Sequence, residues 1–142
     1  MFLLDTNVVS ELRKVQTGRA DANVATWAKG LLADALYISV ITVLELEYGV
    51  IAIERRDPVS GASLRQWFQS RVVPAFAGRI IAVDVDVARR CAALHVPDRL
   101  PERDALIAAT ALVHNLTVAT RNTADFIRTG VMVFDPWRNG GC

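Results

Sequence analysis

Five short apolar runs punctuate the chain, and their pattern limits its architecture more than any other feature. They are Phe2–Leu4, Leu36–Ser39, Ile80–Val83, Thr117–Ala119 and Val131–Phe134. None alternates apolar and polar residues over a useful length, which predicts strands covered on both faces, as in a parallel sheet. The segments between them are long enough for helices. Periodicity and breakers place helices over Thr6–Lys14, Ala22–Ala33, Ile41–Glu54, Ser63–Val73, Val85–Leu94 and Glu102–His114. Pro74 is expected to end the fourth, and Asn115 to cap the last in a left-handed conformation. Gly61, Gly78 and the Pro97–Pro101 stretch read as loops. Strands alternating with helices predict an α/β fold with right-handed crossovers.

The 142 residues suit one domain spanning 1–142, large enough to bury about two-thirds of its unfolded surface. The apolar share, 52%, is high enough that part of it is expected to cover an interface between copies. No run reaches the ~18 apolar residues of a membrane span, and the start lacks the basic stretch of a signal peptide. Two cysteines, Cys91 and Cys142, make no disulfide framework, so a cytoplasmic protein is expected. The net charge of +1 neither favours nor excludes nucleic acid. Lys14 and Lys29 are the only lysines among 16 basic residues. The arginines suit phosphate contacts and carboxylate pairs between subunits alike, and genomic composition gives the same bias. Arg55, Arg56, Arg89, Arg90, Arg99 and Arg121 are unranked candidates for an RNA backbone.

Four acids lie at the edges of these apolar segments. Asp5 follows the first strand, and Asp125 follows the fourth. Glu45 is expected in the first turn of a helix capped by Thr42 after the second strand. Asp104 falls in the first turn of the helix leading into the fourth strand. A helix that precedes a parallel strand starts at the sheet's carboxyl end, so topology sends all four to one edge. Four like charges repel unless a cation sits among them. An all-oxygen set suits Mg²⁺ or Mn²⁺, and such a centre suits phosphodiester hydrolysis better than hydride or acyl transfer. Thr6, Asn7, Ser39, Thr120 and Asn122 would supply hydrogen bonds around it.

The plainer alternative is that Asp5, Glu45 and Asp104 merely complement helix dipoles and that Asn122–Asp125 is an ordinary turn. Two other functions stay open: a phosphatase with Asp5 as nucleophile, and a non-catalytic nucleic-acid- or protein-binding module of the same fold. The phosphatase usually wants a second acid two residues on, where Asn7 stands. Asp21, Asp34, Glu54, Asp57, Asp98 and Asp135 fit caps, turns or solvent, while Glu47 and Glu102 are ambiguous neighbours of the candidate ligands. Asp84 and Asp86 fit a cap after the third strand. His95 and His114 read as structural or surface residues, and Cys91 as core without a base nearby. Trp27, Trp67 and Trp137 read as core or dimer contacts, and Gly140-Gly141 as a frayed tail with Cys142 at its end.

The residues that carry this pattern resemble a known family. Leu3–Leu12, Ile38–Glu45 with Gly49, Asp104–Ala111, Ala119–Phe126 and Phe134–Trp137 are similar, in order and spacing, to the motifs of PIN-domain ribonucleases. The likeness is to toxins of the VapC/FitB type from type II toxin–antitoxin systems, and it spans nearly the whole chain. The terminal Asp135-Pro136-Trp137 departs from the commoner Asn-Pro-Trp. The resemblance implies a three-layer α/β/α fold with a five-stranded parallel sheet of order 3-2-1-4-5. It implies an acidic quartet of Asp5, Glu45, Asp104 and Asp125 that holds Mg²⁺, with Mn²⁺ possible, and cleaves structured RNA. It further implies a homodimer, a VapB/FitA-type antitoxin that silences the toxin, and contact with promoter DNA only through that antitoxin.

Overall fold

The computed structural model describes residues 1–138; the expectations for Gly140, Gly141 and Cys142 fall outside the described residues. Five parallel strands form one sheet in the order β3-β2-β1-β4-β5. They are β1 (Phe2–Leu4), β2 (Leu36–Ser39), β3 (Ile80–Ile81), β4 (Thr117–Ala119) and β5 (Val133–Phe134). The central strand pairs on both sides, Phe2 with Leu36 and with Thr117, and Leu4 with Ala119. β3 and β5 are shorter than expected, because each is an edge strand with a partner on one side only.

Successive side chains of β1 enter opposite layers, which is why the run shows no polar alternation. Leu4 joins Val8, Val9, Ile38, Leu46, Val50 and Phe68 on one face. Leu3 joins Ile41, Ile107, Ala108, Val118 and Phe126 on the other. Helices α1 (Thr6–Leu12), α3 (Val40–Arg56) and α4 (Pro58–Trp67) serve the first layer, after α2 (Ala22–Lys29). Helices α7 (Glu102–His114) and α8 (Thr123–Ile127) serve the second, with α6 (Val85–Leu94) packed on α7. Ala105, Ala108, Ala109 and Ala111 of α7 are fully buried, and their small side chains let the helix lie close to both neighbours. Trp27, Trp67 and Trp137 all pack partly buried against the first layer.

Several boundaries differ from the expected ones for local reasons. Helix α3 starts at Val40, because the Ser39 hydroxyl rather than Thr42 accepts from the Ile41 N–H at 3.0 Å. Glu45 therefore sits in the second turn. Asp57 caps α4, and Pro58 occupies its first position, where a missing N–H costs nothing. Pro74 does not end the helical run. A wider π turn over Phe68–Val72 absorbs its missing donor, and a short α5 (Val73–Ala75) follows. Gly61 is no loop residue: it is buried inside α4, where a side chain would meet the Glu54 backbone. Helix α2 stops at Lys29 before Gly30, and α8 forms where a turn was the alternative. Asn115 caps α7 with φ 59°, as its side chain allows.

Candidate functional site at the carboxyl edge of the sheet

Asp5 leaves the end of the central strand and caps α1. Its backbone N–H donates to Ala119 O at 2.9 Å, which locks the turn onto β4. The carboxylate is 6% exposed, and neighbours hold both of its oxygens. Oδ1 accepts from the Thr6 N–H at 2.8 Å, and Oδ2 from the Thr120 hydroxyl at 2.8 Å and Asn7 Nδ2 at 3.4 Å. Asn7 Nδ2 also reaches Thr120 Oγ1 at 3.3 Å, and its Oδ1 accepts from the Arg121 N–H at 3.3 Å. The Thr120 hydroxyl accepts in turn from the Asn122 N–H at 3.0 Å. A cap alone needs one oxygen; here both are committed and the group is aimed.

The other acids face it from three elements. Glu45 projects from α3 and accepts the Thr6 hydroxyl at 2.6 Å. Asp104 lies in the first turn of α7, and Asp125 in the first turn of α8. Burial raises the Asp5 carboxyl above the ordinary range, with Glu45 and Asp125 adding to the push against its hydrogen bonds. Asp104 is pushed up to about 6 by burial first, then by Asp5, Asp125 and Glu45. Each acid named there raises another only because they share one pocket. The ring is nevertheless open. No three of the quartet offer oxygens within 4.8 Å of one another, as mutual repulsion favours. Its donor set is all oxygen, the chemistry that suits Mg²⁺ or Mn²⁺.

The helpers divide. Thr6, Asn7 and Thr120 hold the carboxylates directly. Ser39 is fully buried and its hydroxyl caps α3, while Asn122 contributes its backbone N–H. Glu47 and Glu102 turn away, to Arg65 at 2.5 Å and to Arg99 and His95 at 3.6 Å. Asp84, Asp21 and Asp57 are plain caps. Two features escaped sequence reasoning. Arg103 reaches Glu45 at 3.7 Å from the mouth of the pocket and lies 5.9 Å from the Tyr48 ring. Its position directly before Asp104 was the signal. Cys91 does have a base nearby, since His95 stands one helical turn on.

The sequence model of the PIN domain matches residues 2–131. The chain belongs to the PIN domain family. Among curated PIN relatives, the VapC ribonuclease Y4jK of Sinorhizobium fredii is 38% identical, covering 96% of this chain and 98% of its own. Toxin FitB of Neisseria gonorrhoeae is 38% identical over 98% of this chain and 100% of its own. A solved structure of FitAB bound to an IR36 DNA fragment superposes with a TM-score of 0.86 at 35% identity, covering 97% of this chain and 96% of that one. The PIN fold expected from the motifs, with strand order 3-2-1-4-5, is the fold observed.

Proposed function

We propose that this PIN chain is the toxin of a toxin–antitoxin pair and a divalent-metal-dependent endoribonuclease of the cytoplasm, acting as one domain over residues 1–142. The observation that carries the reading is the Asp5 carboxylate, desolvated, held through both oxygens and surrounded by three further acids. A non-catalytic module has no use for such an arrangement, because the repulsion costs stability and gives nothing back. Asp5, Glu45, Asp104 and Asp125 would hold Mg²⁺ or Mn²⁺. When bound, that ion supplies Lewis acidity at a phosphate and activation of the attacking water. Asn7 and Thr120 keep Asp5 from rotating, and Thr6 fixes Glu45. The substrate class is structured RNA, tRNA or rRNA, cleaved at its phosphodiester bonds.

Partners follow from the same reading. The relatives named ribonuclease and toxin, and the FitAB assembly on DNA, support an antitoxin partner of VapB/FitA type that makes the DNA contact itself. A groove of about 260 Å³ offers it a surface. Its lining includes the apolar Leu12, Trp67 and Phe76 and the basic Arg13, Arg71 and Arg79. That lining suits an amphipathic acidic segment. No described helix is long and apolar enough to cross a membrane.

The test is cleavage of a structured RNA by the purified chain with Mg²⁺, with Mn²⁺ and with EDTA. Asp5→Asn and Asp104→Asn should each abolish metal-dependent cleavage, by a hundredfold or more, while circular dichroism stays unchanged. Equal activity in EDTA, or a trapped aspartyl-phosphate on Asp5, would overturn the mechanism.

A further inference from the structure

The corner between α6 and α7 gathers three metal-ligating side chains that the acidic pocket does not use. Cys91 and His95 stand one turn apart at the end of α6, and Glu102 opens α7. Cys91 Sγ lies 3.7 Å from His95 Nε2, and Glu102 Oε2 lies 3.6 Å from the same nitrogen. One donor atom from each residue falls within 4.8 Å of the other two, the one such three-donor grouping among the described residues. Ligands bound tetrahedrally to Zn²⁺ at its usual bond lengths stand about 3.5 Å apart, so little movement would close the set around an ion. A concavity walled by Ala88, Ala92 and Leu106 opens the trio to solvent.

We propose that Cys91, His95 and Glu102 bind Zn²⁺ or an equally thiophilic divalent ion, leaving its fourth position open to that concavity. The donor chemistry selects the ion. A thiolate and an imidazole favour zinc-like cations, whereas the acidic pocket offers only hard oxygens. One thiolate and one carboxylate balance a double positive charge. Binding has a local cost, because His95 Nδ1 accepts the Leu100 N–H at 3.0 Å, which leaves the neutral ring's proton on Nε2. Ligation through Nε2 moves that proton to Nδ1 and gives up the bond. Three metal–ligand bonds outweigh one neutral hydrogen bond. Arg99 also pairs with Glu102, but its side chain is 84% exposed and free to swing away. The bound ion would clamp α6 to α7 two residues before Asp104, and so steady the helix start that carries it.

Cobalt titration of the full chain tests the proposal, with Co²⁺ as the spectroscopic probe. The Cys142→Ser protein is the clean background, because Cys91 is then the only thiol in the sequence. Co²⁺ should bind there with a thiolate-to-metal charge-transfer band in the near ultraviolet and the strong visible bands of tetrahedral cobalt. The bands should saturate at one equivalent, resist excess Mg²⁺, persist in Asp5→Asn and vanish in His95→Gln. Absence of the charge-transfer band in Cys142→Ser, or its survival unchanged in His95→Gln, would overturn the site. Neither outcome bears on the acidic pocket, whose oxygen donors give no such band.

Discussion

Asp104 is the residue whose ionisation most sharply reports the pocket. Its carboxyl is held near 6 in the fold, against 3.8 for an unperturbed Asp. Between those values the folded state binds more protons than the unfolded one, so stability falls as pH rises. The loss is complete about one unit above that folded value; the full shift corresponds to about 3 kcal/mol, and solvent screening of this partly exposed group leaves less. Thermal melts in EDTA should therefore show a higher Tm at pH 4.5 than at pH 7.5, with part of that slope removed in Asp104→Asn. At pH 7.5 that variant should melt several degrees above wild type, and added Mg²⁺ should narrow the gap. Arg103 is the complementary case. It offsets the Glu45 charge at 3.7 Å while remaining half exposed. Arg103→Ala should weaken RNA binding several-fold and lower the salt dependence by about one phosphate contact. An unchanged salt slope in a filter-binding titration would remove Arg103 from the RNA path.

Among the elements, the α3–α4 pair depends on one missing side chain. Gly61 sits against the Glu54 backbone, and Arg65 ties the same two helices through Glu47 and Glu54. Gly61→Ala should cost about 1–3 kcal/mol, because backbone rather than a flexible side chain must yield. Chemical denaturation would read this directly. Element identities were legible where chain chemistry is local. Helices α6 and α7 start and stop where Asp84, Pro101 and Asn115 indicate. What was not legible depends on neighbours. Nothing local says that Gly61 faces another helix, or that a π turn will absorb Pro74. The edge strands end where their partners end. The four acids could be assigned to one edge from topology. The bonds to Asp5 from Thr6 and Asn7 are local, but the one from Thr120 spans 115 positions, and no spacing rule reaches that far.

For the whole molecule, the exposed face of α3 bears on assembly. Leu44, Tyr48 and Ile51 lie on one side of the helix and are 47%, 66% and 54% exposed. Three large apolar groups on one stripe favour a second copy as cover, consistent with the homodimer that the family resemblance implies. Tyr48→Asp should shift the chain to a monomer in light scattering while leaving its circular dichroism unchanged. If wild type already elutes as a monomer at micromolar concentration, that face is not the dimer surface.

The sheet order carries a consequence for synthesis. β1 is translated before both of its neighbours, yet it lies between β2 and β4, and β4 begins only at Thr117. The Asp5 N–H has no Ala119 carbonyl to meet, and the Asp5 carboxylate no Thr120 hydroxyl, until the ribosome has passed that point. The acidic pocket proposed to hold the metal thus stays unassembled until β4 has been made, and whatever activity it carries waits on that late strand.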